Sequence, residues 1–164
     1  MVRAVSRNEV VKPLTLFLRT CGQEVNIEHL HQVRSILEVE NAGLAAEQAT
    51  EEELSALVRI CGDMQDSSHP RQFALKDSEF HRFLSQTTHN PLLILLLDSI
   101  HDMMADVRAL VSEKSGLRER VMPTHVQVAE CVASRNPEGA RRAMREHLDI
   151  ALTIQRELIE QRAV

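Results

Sequence analysis

Hydrophobic residues recur at every third or fourth position along almost the whole chain, which is the spacing of one face of an α-helix. Between residues 27 and 46, for example, Leu30, Leu37 and Leu44 share a face, and Asn26 precedes them as a helix cap. No stretch shows the sustained alternation of hydrophobic and polar residues, bounded by turn residues, that is typical of β-strands. The pattern therefore predicts an all-α protein.

Capping and loop residues divide this pattern into seven predicted helices. TEEE at 50–53 is a capping box, and the Asn-Pro pairs at 90–91 and 136–137 each combine a cap with a proline in the first turn. The predicted helices begin near Pro13, cover about 27–46, run from Thr50 to the loop at 66–70, cover about 71–88, continue from Asn90 past Met104 to 112–116, cover about 118–134, and run from Asn136 to about Gln161. Short connections between them predict an antiparallel bundle of about six to seven helices.

The composition is that of one globular domain. The chain has 164 residues and a mass of 18.6 kDa, which is enough to bury a sizeable core. With 43% hydrophobic and 26% charged residues and no low-complexity tract, it is predicted to fold rather than to be disordered. Its formal net charge of −5 has the wrong sign for a domain that neutralises a DNA phosphate backbone by itself.

The cysteines and the hydrophobic runs predict a cytoplasmic protein without a membrane partner. Cys21, Cys61 and Cys131 are odd in number, far apart and in no CxxC pairing, which indicates reduced thiols. The longest hydrophobic run, LLILLL at 92–97, ends at Asp98 and is too short to span a bilayer. The first residues also lack the hydrophobic segment of a signal peptide.

Candidate chemistry lies in the stretch DSEFH in the middle of the chain. Asp77 and His81 are four residues apart, so a helix projects both side chains from one face, the geometry by which two ligands reach one metal ion. Phe73, Phe80 and Leu84 fall on or beside the same face, which predicts that the pair points toward the core. The alternative is an exposed helical ion pair that contributes roughly 0.2–0.5 kcal/mol.

His125 and His147 are the other candidate ligands. They lie on two long predicted helices separated by an Asn-Pro break, so these helices can be antiparallel neighbours. If both helices meet the one that carries Asp77 and His81, three imidazoles and one carboxylate form a set that suits Zn, Ni, Mn or Fe, with coordination positions left open. The alternative is that the distant histidines are unrelated to the pair. Five histidines without a motif are interpreted as surface or satisfied polar residues: His29, His31, His69, His89 and His101.

Three segments resemble the motifs of one known family. DSEFHRFLSQTTHNPLL is similar to a D-x-x-F-H-x-x-L-x-x-x-x-x-N-x-x-L signature, VRSILEVENAGLAAEQATEEELSAL to an opening helix pair that begins R-x-x-L/I-E, and HVQVAECVASRNPEGARRAMREH to a closing module with two histidines. The family is the FadR C-terminal domain, or FCD domain, the effector-binding half of a subfamily of GntR-type transcriptional regulators. The resemblance covers about residues 10–160.

This resemblance implies a metal site at the base of a ligand cavity. The divalent metal, with zinc preferred over nickel, manganese or iron, would be bound by Asp77, His81, His125 and His147. The resemblance further implies that a small carboxylate-bearing metabolite binds above the metal and that the domain belongs to a homodimer. Arg34, at the arginine of the opening motif, is the candidate basic side chain for that ligand, and a purely structural pairing with Glu38 one turn away is its alternative.

Members of the family carry an N-terminal winged helix-turn-helix, whereas this chain begins MVRAVSRNEV. Residues 1–10 are therefore interpreted as the remnant of an interdomain linker and residues 11–164 as the effector-binding domain, with DNA contact left to the missing domain. We expect the ligand sensor of a bacterial transcriptional regulator and no enzyme. One alternative is a metal-dependent hydrolase or oxygenase, although Glu146, the carboxylate next to His147, is turned about 100° away on a helix. The other is a metal-free helical interaction module.

Overall fold

The computed structural model describes residue 16, residues 26–113 and residues 116–162. Within these residues the regular structure is helical and contains no strand, so the predicted all-α fold is confirmed. Of the helix predicted from Pro13, only Leu16 is described, and it is helical. The helices of the two longer ranges are α1 (Ile27–Gln48), α2 (Glu51–Gln65), α3 (Pro70–Gln86), α4 (Pro91–Met103), α5 (Ala105–Ser112), α6 (Leu117–Ala133) and α7 (Pro137–Arg162).

Capping residues identified from the sequence begin four of these helices, including α7, where Asn136 Oδ1 accepts from the backbone N–H of Gly139 at 2.9 Å. Asn26 Oδ1 accepts a hydrogen bond from the backbone N–H of His29 at the start of α1, at 2.9 Å. At α2 the Thr50 hydroxyl accepts from the N–H of Glu53 at 3.2 Å, and the Glu53 carboxylate accepts from the N–H of Thr50 at 2.8 Å, which completes the predicted capping box. Asn90 caps α4 through its side-chain oxygen. Local chemistry therefore decides where these helices begin.

The helix predicted to continue past Met104 is divided there into α4 and α5. Met104 is a turn residue with φ −82° and ψ −7°, and neither glycine nor proline marks the position. Its side chain is buried with Leu97 and Ile100 in a small hydrophobic cluster. Beyond the break, α5 carries Arg108 to within 3.3 Å of Asp77 on α3, measured between Nε and Oδ2. Tertiary packing accompanies the break. The hydrophobic pattern along the sequence does not reveal the break, because it is that of a single helix.

Two ion pairs along α1 establish that it runs antiparallel to α7. Glu28 pairs with Arg156 at 3.2 Å, and Glu40 pairs with Arg141 at 3.0 Å. The last helix also packs along α6, to which a connection of residues 134–136 joins it. A chain that reverses in so few residues places consecutive helices side by side. The long C-terminal helix is thus in contact with helices from both ends of the described chain.

The hydrophobic core lies between α1, α2, α3, α6 and α7 and contains fully buried side chains such as Leu57, Phe80 and Leu148. None of the described helices is long and apolar enough to cross a membrane. Polar and charged side chains from α1, α3, α4, α6 and α7 are buried beside this core. Because buried polar groups require partners, their arrangement identifies the part of the fold where function is to be sought.

Candidate metal centre

Three helices bring the predicted metal-binding residues together. Asp77 and His81 lie on α3, His125 on α6 and His147 on α7, and one potential ligand atom of each lies within 4.8 Å of the others. We call these four residues the histidine cluster. The pair on α3 therefore meets the two distant histidines in space.

The rings of the histidine cluster pack against one another and against the core. His81 is 2% exposed and His125 is 0% exposed. The ring centroids of His125 and His147 are 4.1 Å apart, and those of His81 and His147 are 5.1 Å apart. Phe80 contacts the His125 ring in a T-shaped arrangement at 5.2 Å. The side chains therefore face the core, as the hydrophobic neighbours on α3 predict, and do not form an exposed helical pair.

Hydrogen bonds outside the cluster determine which nitrogen His125 and His147 present to it. His125 Nδ1 donates to the carbonyl of Val121 at 3.0 Å, because a carbonyl can only accept. The Thr124 hydroxyl donates to the same carbonyl at 2.7 Å, so its oxygen accepts from His147 Nδ1 at 3.0 Å. Both imidazoles therefore keep the lone pair of Nε2 for the interior of the cluster.

His81 also has an acceptor group beside its Nδ1, and here the group is charged. Its Nδ1 lies 2.6 Å from Oε2 of Glu38 on α1, and its Nε2 lies 3.8 Å from Oδ1 of Asp77. The same Oδ1 is 3.1 Å from Nε2 of His125. The Nε2 atoms of His81 and His125 are buried and make no hydrogen bond with any described residue. Buried nitrogens of this kind, gathered beside a carboxylate, fit a divalent metal ion with three nitrogen ligands and one oxygen ligand.

Electrostatics keep Asp77, His81 and His147 in the protonation states that bind metals. Burial raises the pKa of the Asp77 carboxyl, but Arg108 and His125 lower it by more, so this pKa lies well below its ordinary value. Burial lowers the pKa of His147 well below its ordinary value and also lowers that of His81. Near neutral pH the carboxylate is therefore ionised and these two imidazoles are neutral, the forms in which both groups coordinate a metal.

A cavity of about 50 Å³ lies beside the cluster, and we call it the inner cavity. Asp77 and His147 line it, together with two arginines from different helices, Arg34 on α1 and Arg108 on α5. Much of the remaining wall is hydrophobic and includes Phe73, Val111, Leu117, Val121 and Ala151. A small hydrophobic space with a few cationic groups is typical of a site for a compact anion.

Arg34 both pairs with Glu38 and lines the inner cavity. Its Nε donates to Glu38 Oε1 at 2.6 Å, and both side chains are buried, so the predicted structural pair is present. Burial raises the pKa of the Glu38 carboxyl, but Arg34 and His81 lower it by more, and the carboxylate is ionised near neutral pH. Among the described residues, Glu38 pairs with the Nε of Arg34 alone, so the other N–H groups of the guanidinium can meet a ligand in the cavity.

Residues 29–150 match the family model of the FCD domain. The chain belongs to the FCD domain family. The HTH-type transcriptional repressor NanR of Cronobacter sakazakii is 28% identical over 126 residues, which covers 75% of this chain and 48% of that repressor. The NanR repressor of Klebsiella aerogenes is 30% identical over 127 residues, which covers 74% of this chain and 48% of that repressor. This FCD domain thus spans about half the length of the curated relatives it matches.

A solved structure supports the same relationship. The protein described as Streptococcus agalactiae GntR superimposes with a TM-score of 0.64 and 25% sequence identity, over 76% of this chain and 56% of that one. The resemblance to GntR-type regulators seen in the sequence motifs is therefore confirmed. All four members of the histidine cluster lie within the residues that match the family model.

Arg108 is a residue of the site that sequence reasoning missed. Its Nε faces Asp77, and its Nη1 donates to the Ser78 hydroxyl at 3.0 Å. Its Nη2 is buried and makes no hydrogen bond within the part of the chain that the structure describes. Arg108 also lines both the inner cavity and an open outer pocket of about 770 Å³. The approach of Arg108 to Asp77 depends on the break at Met104, which leaves no glycine or proline signal in the sequence.

His101 is also part of this region, although its lack of a motif predicts an ordinary surface or satisfied polar residue. Its Nε2 lies 3.4 Å from Glu38 Oε1, and its ring contacts that of His81 with centroids 5.8 Å apart. Burial, and then the nearby Arg108, lower the pKa of His101 to about 3. The signal that could have found it is its position one helical turn after the fully buried Leu97. The other histidines without a motif are exposed or half-buried, as predicted: His29, His31, His69 and His89.

Proposed function

We propose that this FCD domain is the effector-binding domain of a bacterial transcriptional regulator and binds a small organic acid with the help of a divalent metal ion. The observation that carries the proposal is the histidine cluster. Its four ligand atoms lie within 4.8 Å of one another, beside a cavity that two buried arginines also line. The family motifs and the repressor relatives support the regulatory role.

The metal would be held by the carboxylate of Asp77 and by the imidazole nitrogens of His81, His125 and His147. Three nitrogen donors and one oxygen donor suit Zn²⁺, and Ni, Mn and Fe ions accept the same donors. When bound, the metal supplies a Lewis acid that attracts an oxygen atom of the ligand. The neutral imidazoles and the ionised carboxylate would leave one of the two positive charges of such an ion uncompensated, which favours an anionic ligand.

Arg108 and Arg34 supply the groups that would recognise the acid. A carboxylate in the inner cavity would accept a hydrogen bond from Arg108 Nη2, which is otherwise buried without an acceptor among the described residues. A cavity of about 50 Å³ holds roughly four water molecules at about 10–15 Å³ each. The preferred ligand is therefore a compact acid with few non-hydrogen atoms.

Regulation would follow from a population shift. A ligand that contacts Arg108 in only one arrangement of the helices biases that arrangement, and a DNA-binding domain attached to the bundle would change its orientation accordingly. The short helix α5 is placed to respond, because Arg108 links it to Asp77 and to both cavities. We further propose that the regulator acts in the cytoplasm as a homodimer and contacts DNA through a domain outside this chain.

A thermal-shift screen of small organic acids, run with and without EDTA, tests this function. A ligand that binds only the native state stabilises it by about 2.7 kcal/mol when present at about 100 times its Kd. We expect at least one compact acid to raise the unfolding temperature of the metal-loaded protein and to lose this effect in EDTA. Stabilisation that survives EDTA would contradict a metal-dependent site. A screen in which no acid stabilises the protein would contradict the proposal that the effector is a small organic acid.

We propose no turnover at this site. Glu146, which precedes His147 in the sequence, is exposed and therefore not placed as a catalytic base beside the buried cluster. Incubation of the metal-loaded protein with esters, amides and 2-oxo acids tests the hydrolase and oxygenase alternative. Turnover that disappears in His81→Ala would contradict a role restricted to ligand sensing.

A further inference from the structure

Glu38 is a buried carboxylate that contacts three basic side chains and does not line the inner cavity. Its Oε1 accepts from Arg34 Nε at 2.6 Å and lies 3.4 Å from His101 Nε2. Its Oε2 lies 2.6 Å from His81 Nδ1, the nitrogen that faces away from the histidine cluster. The carboxylate thus occupies the position behind one of the proposed metal ligands.

A separate metal site is an alternative interpretation of this arrangement, because ligand atoms of Glu38, His81 and His101 also lie within 4.8 Å of one another. Two contacts oppose it. Arg34 already contacts Glu38 Oε1 with a full positive charge, which disfavours a cation at the same oxygen. His81 would also need to give both ring nitrogens to cations, although only its Nε2 faces the cluster. The arrangement fits an acceptor of hydrogen bonds better than a metal ligand.

We propose that Glu38 is a positioning residue for the metal site: it accepts the Nδ1 proton of His81 and thereby holds the tautomer in which Nε2 is the ligand. This inference rests on the metal site of the proposed function. His125 and His147 are held in the same way by neutral acceptors, the Val121 carbonyl and the Thr124 hydroxyl. Glu38 is the charged acceptor of the three, and a carboxylate behind an imidazole both orients the ring and strengthens it as a donor to a metal.

The local geometry is compatible with this role. The 2.6 Å separation of His81 Nδ1 and Glu38 Oε2 is a hydrogen-bond distance, while the angle between the groups lies outside the usual range. A rotation of the imidazole about its bond to Cβ changes this angle without moving the helices. Arg34 holds the carboxylate from the other side through Oε1, and Oε2 has no hydrogen-bond partner among the described residues, so it is available to accept from His81 Nδ1.

Metal affinity in Glu38→Gln is the first test. The amide keeps the shape of the side chain but can offer a donor to His81 Nδ1 as readily as an acceptor. We expect the affinity for Zn²⁺, measured by competition with a chromogenic chelator, to fall about 10- to 100-fold. Asp98→Asn is the matched control, because Asp98 is also buried and pairs with Arg82 (3.5 Å), and its metal affinity should stay within about threefold of the wild-type value. Equal affinities in Glu38→Gln and the wild-type protein would overturn the proposal.

The tautomer of His81 in the metal-free protein is the second test, and it does not depend on metal binding. Nitrogen NMR of ¹⁵N-histidine-labelled wild-type protein should show His81 protonated at Nδ1, and Glu38→Gln should show a mixture of tautomers. If the His81 ring of the wild-type protein is protonated at Nε2, the proposed role of Glu38 is wrong, whatever the measured metal affinities are. If the wild-type protein binds no metal but has the expected tautomer, the proposed function fails and the positioning contact stands.

Loss of Glu38 leaves Arg34 buried without its partner, which can prevent folding. The double variant Arg34→Met/Glu38→Gln removes both charges together and serves as the second variant for both measurements. In it we expect the same loss of metal affinity and the same mixture of His81 tautomers. Wild-type values for both would overturn the proposal.

Discussion

The Nδ1 atoms of the histidine cluster face three kinds of acceptor: a carbonyl behind His125, a hydroxyl behind His147 and a carboxylate behind His81. Each contact leaves the Nε2 atom for the interior of the cluster. The rings therefore already have the orientation that the proposed metal site requires, which would lower the cost of ordering them on binding. At the scale of single residues, this arrangement leads to two predictions.

Removal of one ligand nitrogen should abolish tight metal binding. We expect His125→Ala to lower the affinity for Zn²⁺ by at least about 100-fold. Loss of a residue that only hydrogen-bonds to a metal ligand lowers affinity by up to about 100-fold, and loss of the ligand itself should cost at least as much. Isothermal titration of the metal-free protein measures the change. The matched control is His69→Ala, since His69 is exposed at the start of α3 and makes no side-chain cap bond there. An affinity in His125→Ala close to that of the control would contradict the assignment.

Replacement of Arg108 by lysine should weaken acid binding more than metal binding. Lysine keeps a positive charge near Asp77 but cannot present the planar pair of donors that matches a carboxylate. We expect the affinity for a stabilising acid to fall about tenfold, equivalent to about 1.4 kcal/mol, and the metal affinity to stay within about threefold. Arg71→Lys, an exposed arginine of the outer pocket, is the control. If both variants bind acid like the wild type, Arg108 is not a ligand residue.

The helix caps are the strongest structural signals at the scale of elements. Thr50→Ala removes the hydroxyl that accepts from the N–H of Glu53 at the start of α2. We expect this change to lower the free energy of unfolding by about 1 kcal/mol, measured by urea denaturation. Ser55→Ala, an exposed position inside the same helix, should change it by less than about 0.5 kcal/mol. Equal stabilities of the two variants would show that the capping box contributes little.

Features set by neighbouring residues could be predicted from the sequence, and features set by distant contacts could not. The starts of α1, α2 and α4 follow from Asn26, Thr50 and Asn90, whose side chains bond to backbone groups two or three residues on. The shared face of Asp77 and His81 follows equally from helical periodicity. The break at Met104 has no local signal, and the packing around it includes Leu30 and Leu37 of the distant helix α1.

The same distinction applies to the candidate site. Its four candidate metal ligands could be named in advance. Helical spacing paired Asp77 with His81, and His125 and His147 followed from their places on two long predicted helices and from the family motifs. Arg108 could not be named in advance, because its contact with Asp77 depends on the direction that the chain takes after α4. The contacts of His101 and Glu38 with His81 were missed because both depend on how α1 and α4 meet around that residue.

At the scale of the whole molecule, buried neutral histidines make the stability of the metal-free protein depend on pH. The pKa values of His81, His101 and His147 are lowered in the folded state, mainly by burial. Below their unfolded pKa of about 6.5, the unfolded chain therefore binds more protons than the folded one. Stability is present above this pH and is lost as the pH falls, by up to about 1.4 kcal/mol per pH unit for each such histidine.

Urea denaturation of the metal-free protein at pH 7.5, 6.0 and 5.0 measures this dependence. We expect the free energy of unfolding to decrease at each step, and the decrease to be smaller in His101→Gln, which removes one of the buried groups. Below about pH 4.5, protonation of Asp77 and Glu38 should add to the loss, since their pKa values are also lowered by folding. If the free energy of unfolding stays constant or increases as the pH falls from 7.5 to 5.0, the three histidines are not buried in their neutral form.

The central claim is that three helices of this FCD domain converge to bind one metal ion. Its most direct test is the metal content of the purified protein, determined by elemental analysis after dialysis against Zn²⁺ and then against metal-free buffer. The account predicts one equivalent of metal per chain in the wild-type protein and in His69→Ala, and less than a tenth of an equivalent in a His125→Ala/His147→Ala double variant, in keeping with a loss of affinity of at least about 100-fold. A wild-type protein without bound metal, or a double variant that retains a full equivalent, would contradict it.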